Sequence, residues 1–405
     1  MNRRKFLTDS AKQIVILNAV GLTSAKGLAS KAAPDNLTDQ DKIQSRVLGK
    51  TGIKLPVVSM GVMNASNPNL VKAAWESGIR HFDTAWGYQN GNNEKMIGLV
   101  LHELKVKRED VTIATKISLS RAPDMNGRQR KQYFKDRLEE SLSRLQMDFA
   151  DILYLHAAAK PEQVNDPYLL EAFTDLKETK KIRFAGFSTH IDWVDLVADA
   201  ARRKFYDVIL LSFNYSMFQD ERVFKTLQSA SDAGIGLIAM KTQCRQDWYK
   251  KQLPADLQKY YEGDTMNSAL LKWVLRHPYI TTAVPGFTTY DQVEQDMAVA
   301  YDLNYSKEEE DFFRSKDVRL AIHSVCRHCG QCTGSCPQNV DIPSLMRTHM
   351  YAFSYGNPLM AKQTLSEIRT GHGLETCNNC DVCTARCTDS VRIAERISDL
   401  KELYC

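Results

Sequence analysis

The chain has 405 residues, 43% of them hydrophobic and 25% charged, an ordinary globular balance that excludes disorder on a large scale and leaves room for one large and one small domain. Its net charge of +4 is local: residues 1–33 carry six Lys/Arg against one Asp, so the remainder sums to about −1. A nearly neutral folded part lacks the basic face of a nucleic-acid binder, and no nucleic-acid partner is expected.

The chain opens with Arg3-Arg4-Lys5-Phe6-Leu7, a moderately apolar run from Ile14 to Leu22, and small residues around Ala25 to Ala33. This layout resembles a twin-arginine export signal, in which paired arginines precede a weakly hydrophobic core. A leader over residues 1–33 is expected, with Ala29 as a cleavage point and the twin-arginine export machinery as a partner. The address is then periplasmic or membrane-associated in a bacterium; a leader that acts only as a basic tail leaves the protein cytoplasmic. The apolar run is short and interrupted by Lys12 and Asn18, so it is not a transmembrane helix, and the mature part is expected to have none.

From residue 45 to 303 one unit repeats. "RVLGKTGIKLP" reads as a hairpin closing a barrel floor, and eight β-branched or aliphatic runs follow: "VVSMGVM", "IRHFDTA", "VTIATK", "ADILYLH", "IRFAGFST", "DVILLSFN", "GIGLIAMK" and "TTAVPGF". Amphipathic stretches lie between them, such as Arg128 to Gln146, where Phe134, Leu138, Leu142 and Leu145 recur at helical spacing. Eight strands alternating with eight helices predict an α/β fold, a (β/α)8 TIM barrel.

Chemistry in such barrels gathers at the C-terminal ends of strands. The second strand ends in Asp83 with Tyr88 five residues on, the third in Lys116 and the fourth in His156. Together they compose an acid site: a Tyr beside a cationic Lys is expected to have a lowered phenol pKa, Asp83 can hold the Lys, and His156 can orient a carbonyl. "FDTAWGYQNGNNEKMIG", "ATK" and "YLH" resemble the aldo-keto reductase family over about residues 45–303. The resemblance implies a catalytic tetrad of Asp83, Tyr88, Lys116 and His156, with Tyr88 donating a proton to a substrate carbonyl while a nicotinamide, NAD or NADP, delivers hydride.

The nicotinamide side departs from the family pattern. "GFSTH" keeps Ser188 where the family has Ser-Asn but has Thr189 next, Leu210 stands where a Gln is usual, and Met240 replaces a stacking aromatic ahead of Lys241. Asn214 remains at a strand end. In "GFTTYDQVEQDM", Gly286, Thr288 and Gln292 are the expected phosphate-loop and adenosine contacts, without a Lys or Arg for a 2′-phosphate. Trp86, Tyr215, Phe218 and Trp248 are either substrate-facing aromatics or core packing.

Residues 304–325 read as a linking helix, and 326–405 as a small, mostly helical ferredoxin-like domain. Eight of ten cysteines fall in two CxxCxxCxxxC runs: Cys326, Cys329, Cys332, Cys336 and Cys377, Cys380, Cys383, Cys387. Such a run offers three thiolates to one iron-sulfur cluster and sends its fourth elsewhere. Disulfides poorly explain a duplicated spacing, and zinc sites pair two CxxC units instead. The pattern resembles two-cluster bacterial ferredoxins, with Pro337 matching their CP and Thr388 departing from it. That resemblance implies two 4Fe-4S clusters, one on Cys326, Cys329, Cys332 and Cys387, the other on Cys377, Cys380, Cys383 and Cys336. The 40 intervening residues, with "IPSLMRTHMYAFSYGN" and "LMAKQTLSEIR" reading as helices, resemble the helical ferredoxin type. Cys244 and Cys405 stand alone as ordinary thiols.

The expected function is an exported oxidoreductase that interconverts a small carbonyl compound, aldehyde or ketone and in one reading sugar-derived, with its alcohol. The clusters serve electron transfer, with a redox partner protein, or structure. Clusters assembled in the cytoplasm must leave inside a folded protein, which agrees with a twin-arginine leader. Hydride and one-electron chemistry do not connect directly without a flavin-like carrier. Two other readings therefore stand beside it: an iron-sulfur electron-transfer protein whose barrel is a docking scaffold without nicotinamide chemistry, and a carbohydrate- or aldehyde-binding protein with structural clusters.

Overall fold

The computed structural model describes residues 42–119, 125–243, 257, 258, 260, 265–323, 325–377, 380 and 382–405; the leader, Cys244 and Trp248 lie outside the described residues. Strands β1 (Ser45–Val47) and β2 (Lys54–Pro56) pair antiparallel, with Ser45 opposite Pro56. This is the expected floor hairpin, and Leu48 and Leu55 bury themselves against Val208, Leu210 and Ile238 of the barrel interior. Gly49 makes the approach feasible: its φ is +50°, and a Cβ there would stand 2.4 Å from the Gly236 backbone nitrogen.

Eight parallel strands follow: β3 (Met60–Gly61), β4 (His81–Asp83), β5 (Thr112–Ile117), β6 (Ala150–Leu155), β7 (Ile182–Thr189), β8 (Val208–Ser212), β9 (Gly236–Met240) and β10 (Ile280–Ala283). Each is hydrogen-bonded to the next, and parallel bridges from Val58 to Ala283 and from Gly61 to Gly286 close the ring. The helices Pro68–Glu76, Asn92–Glu103, Gly127–Leu145, Pro167–Glu178, Trp193–Arg203, Glu221–Asp232, Thr265–Leu275 and Tyr290–Val299 follow these strands in turn. The barrel is the (β/α)8 architecture that the alternation predicts.

The third of these helices shows how local sequence sets the elements. Asn126 accepts from the Gln129 N–H while Gln129 reaches back to the Asn126 N–H, a capping box that satisfies two orphan donors. Phe134, Leu138, Leu142 and Leu145 form its buried stripe, and Gln146 ends it in the left-handed region. The neighbouring helix Asn92–Glu103 packs against its end through Gly98, where a Cβ would meet the Leu145 carbonyl oxygen at 2.5 Å.

Residues 304–325 depart from expectation: two helices, Lys307–Arg314 and Lys316–His323, replace one, with extended backbone at Ser315. Phe312 and Val318 both enter one apolar cluster with Tyr215, Tyr260 and Met266. Six residues apart on a straight helix they would point about 120° apart. The break lets both face the barrel, and Lys272 and Ser268 bond Glu309 at 2.9 and 2.6 Å to hold the first helix there.

The C-terminal part builds the helices Ile342–His349, Pro358–Ser366, Leu374–Cys377 and Ile393–Tyr404 around Val340, Leu345, Met346, Ile397 and Leu400. Both stretches expected to be helical are so, and the first runs into a π-turn over Met350–Ser354, an irregularity common at functional sites. Among the described residues no helix is long and apolar enough to cross a membrane. The close approach at Gly98 gives a test. Gly98→Val is expected to destabilise the protein by about 1–3 kcal/mol through overpacking, read as a lower denaturation midpoint; an unchanged midpoint contradicts the contact.

Candidate active site and cluster cradles

Asp83 ends β4 and pairs in register with Ala114 of β5, so Lys116, two residues further on, projects to the same face near it. Lys116 Nζ donates to Asp83 Oδ1 and to the Thr84 carbonyl, the latter at 2.5 Å, and both side chains are buried. Tyr88 opens a 3-10 turn with its ring centre 4.9 Å from Lys116 Nζ, and the His156 ring meets it edge-on at 5.7 Å. All four expected catalytic residues converge at the C-terminal mouth of the barrel.

Their electrostatics differ from expectation in one respect. The Tyr88 phenol is pushed well above its ordinary pKa, not below it, first by burial and then by Asp83 and Glu367. Lys116 arrives already paired with a carboxylate, so Tyr88 meets an ion pair and not a lone cation. Burial lowers the Lys116 pKa against the opposing pull of Asp83. His156 is held well below the usual imidazole range by burial, Lys116 and Arg347, so it is neutral. The site is a neutral phenol and a neutral imidazole around a buried ion pair.

A cavity of about 260 Å³ opens beside it, lined by Asp83, Tyr88, Met240, Lys241, Gly286, Thr288 and Gln292. His190, the first residue after β7, also lines it; the strand-end rule that selected His156 would have selected it too. The roof is Tyr351, Ser354 and Tyr355 of the C-terminal domain, and Met350, Tyr351, Met360 and Ala361 pack on Tyr88. No local pattern in the sequence marks these roof residues.

Two expected nicotinamide contacts are employed elsewhere. Ser188 Oγ accepts from the Ala157 N–H at 2.9 Å, fixing the turn behind His156. Asn214 caps the Tyr215–Met217 turn by accepting from Ser216 and donates to the Lys241 carbonyl at 3.2 Å. Neither lines the cavity of Tyr88, because each polar group is consumed in shaping a strand-end loop. Lys241, Gly286, Thr288 and Gln292 do line it, although Gln292 Oε1 already accepts from the Thr288 and Thr289 N–H groups. Trp86 donates to Glu140 at 2.7 Å, and Tyr215 stacks on Phe218 under the linking helices. These three aromatics pack the structure and do not line the cavity.

The chemistry of the lining suits the nicotinamide end of a dinucleotide. Asp83 Oδ2, His190 Nδ1, Lys241 Nζ and Thr242 Oγ1 are buried without a hydrogen-bond partner in residues that line it. Such groups await a polar ligand.

The cysteines form two sets of four. Cys326 lies within electrostatic reach of Cys387 and Cys332, and Cys332 of Cys387 and Cys329. Cys377 lies likewise near Cys336, Cys383 and Cys380, and these four line a cavity of about 250 Å³. Each set joins three cysteines of one run to the last of the other, the crossed arrangement expected. Burial and crowding push the Cys326 thiol up to about 12 and those of Cys332 and Cys377 to about 11, and none of the nine described cysteines is in a disulfide. Thiols so crowded fit a group that takes them as thiolates. Among the described residues no three His, Cys, Asp or Glu converge as they would on a single ion. Four thiols around a void suit a cluster instead.

The Aldo/keto reductase family profile matches residues 61–317, more than half of the chain, and a 4Fe-4S dicluster domain profile matches residues 325–392. The chain belongs to the aldo/keto reductase family and carries a C-terminal 4Fe-4S dicluster domain. It is 27% identical to the uncharacterized oxidoreductase YrpG of Bacillus subtilis, over 64% of this chain and 92% of that one. It is 27% identical to L-galactose dehydrogenase of Arabidopsis thaliana, over 65% and 89%. An aldo-keto reductase of Bacillus halodurans in its holo form superposes with a TM-score of 0.54 at 21% identity, over 71% of this chain and 98% of that one. An aldo/keto reductase of Klebsiella pneumoniae, solved with NADP and acetate, superposes at 0.50 with 22% identity, over 66% and 93%. These likenesses speak for the fold.

The buried imidazoles predict a pH response. His156 and His190 both have lowered pKa values in the folded state, chiefly through burial, so the unfolded chain binds more protons below its ordinary value near 6.5. Stability is complete above about pH 7 and falls as pH drops through about 6.5. Melting temperature of the cluster-loaded protein should decline from about pH 7 to 5.5, less steeply in His190→Gln; equal slopes in parent and variant contradict a buried neutral His190.

Proposed function

We propose that the protein is an exported oxidoreductase that interconverts a small carbonyl compound and its alcohol at the barrel mouth, with Tyr88 as the proton donor and acceptor. The observation that carries this reading is the convergence of Tyr88, the Lys116–Asp83 pair and His156 beside one cavity. In reduction the Tyr88 hydroxyl gives its proton to the carbonyl oxygen as charge develops there. The Lys116 ammonium beside the ring favours the phenolate left behind, and Asp83 and the Thr84 carbonyl hold that ammonium in place. Neutral His156 orients the carbonyl by hydrogen bonding. In oxidation the same groups act in reverse. A nicotinamide, when bound, supplies or accepts the hydride; Lys241, Gly286, Thr288 and Gln292 are the cavity residues that would hold it. The rim from Gly286 to Met297 has no Lys or Arg for a 2′-phosphate, which favours NAD.

The relative named L-galactose dehydrogenase supports a sugar-derived substrate. The roof narrows the cavity to about 260 Å³, which favours a small one. The paired arginines of the leader support export by the twin-arginine route to the periplasm or its membrane surface. The two cysteine sets are proposed as the ligands of the two clusters, and a redox partner protein exchanges electrons with them.

Anaerobically purified protein should quench nicotinamide fluorescence on binding. Tyr88→Phe should keep that binding while lowering kcat about a hundred- to ten-thousand-fold; turnover retained in the variant removes Tyr88 as the acid, and no quenching in the parent removes the nicotinamide. Arg3→Lys with Arg4→Lys should leave the precursor in the cytoplasm on fractionation, and unchanged export points to another route.

A further inference from the structure

The two cysteine sets occupy different electrostatic surroundings. The set of Cys326, Cys329, Cys332 and Cys387 lies against the barrel: the Asp192 N–H donates to the His328 carbonyl at 3.0 Å, and Arg327 bonds both Asp389 and Asp220, at 2.8 and 3.7 Å. Cys326 and His328 line a small void with Lys241, a barrel residue that also lines the cavity of Tyr88. Lys241 is a wall common to both sites.

Its surroundings are positively charged. Lys241 Nζ is buried without a hydrogen-bond acceptor among the described residues. Burial and then Arg347 push its pKa well below the ordinary lysine value, and the opposite charge of Cys326 works against them. His328 feels Lys241, Arg347 and Arg396, and Cys326 feels Arg396. Arg347 and Arg396 are themselves buried. Buried cations need a negative partner, and a cluster held by the inner cysteines would supply one beside Lys241. Beside the outer set stand Lys401, half-buried and donating to the Cys377 carbonyl at 2.9 Å, and Arg386, exposed and donating to the Cys383 carbonyl at 3.2 Å. Exposed Pro337, Gln338 and Val382 flank this set at the surface.

One-electron reduction of a cluster adds one negative charge, so its readiness to be reduced depends on nearby charge and burial. Cations in a dry interface act almost unscreened, whereas a cation near the surface is screened. We propose that Lys241 and Arg347 stabilise the reduced form of the inner cluster, making it the electron-holding end of a relay that starts at the outer cluster and ends beside the cavity of Tyr88. An electron entering at the outer cluster would come from a low-potential one-electron carrier, which is oxidised by one, and would leave the inner cluster reduced by one.

The test is a potentiometric titration of the full, cluster-loaded protein, reduced with dithionite and followed by electron paramagnetic resonance. The parent should show two one-electron couples. Lys241→Met and Arg347→Met should each weaken electron binding at the more positive couple about tenfold, about 59 mV for one electron, with iron content unchanged. Lys241→Arg should restore it, and Lys401→Met should move only the other couple. Lys241 Nζ makes no hydrogen bond among the described residues, so Lys241→Met strands no polar group there and carries the test alone if Arg347→Met loses iron. The proposal is overturned if dithionite reduces neither cluster, if Lys241→Met leaves both couples in place or moves both equally, or if Lys401→Met moves the more positive one.

Discussion

The Lys116–Asp83 ion pair is the interaction on which the barrel mouth depends. Two charges removed from water are tolerable only if they meet each other and further polar groups. Asp83 and Lys116 do so across adjacent strands, with the Thr84 carbonyl as a third partner. Removing either partner would leave a buried charge worth about 3–5 kcal/mol of destabilisation. Tyr88 remains a phenol first because it is buried, and then because the Asp83 charge opposes a phenolate beside it.

The C-terminal domain is built into this site. Tyr351, Ser354 and Tyr355 close the cavity from above, and Met350, Met360 and Ala361 pack against Tyr88. Asn357 donates to Asn64 at 2.7 Å and Arg327 bridges to Asp220, tying the domain to loops after β3 and β8. The π-turn over Met350–Ser354 lets one continuous helical segment present Arg347 on one turn and Tyr351 on the next to the interface. A barrel without this roof would have an open mouth. Here the roof narrows the cavity and brings the inner cysteine set within reach of Lys241.

Much of this was legible along the chain. The alternation of strands and helices, the strand-end positions of Asp83, Lys116 and His156, and the doubled cysteine spacing all depend on short-range pattern. What escaped depends on which parts meet. Ser188 and Asn214 stand at the right strand ends, but their polar groups close the local loops behind His156 and Lys241. Tyr215 and Phe218 gave an aromatic signal that belongs to the apolar seat of the linking helices. Those helices break at Ser315 because Phe312 and Val318 must reach one pocket, a demand that no local propensity expresses.

The barrel, the four residues at its mouth and the two sets of thiols can be read along the chain, because periodicity and spacing fix which side chains share a face or a strand end. The phenol state of Tyr88, the place of His190 and the roof of Tyr351 and Tyr355 arise in the assembled fold. That fold also sets Lys241 between the cavity and the inner cysteines. Those features depend on burial and on groups brought together from separate parts of the chain, and desolvation is a property of the assembled interior that no stretch of chain carries alone.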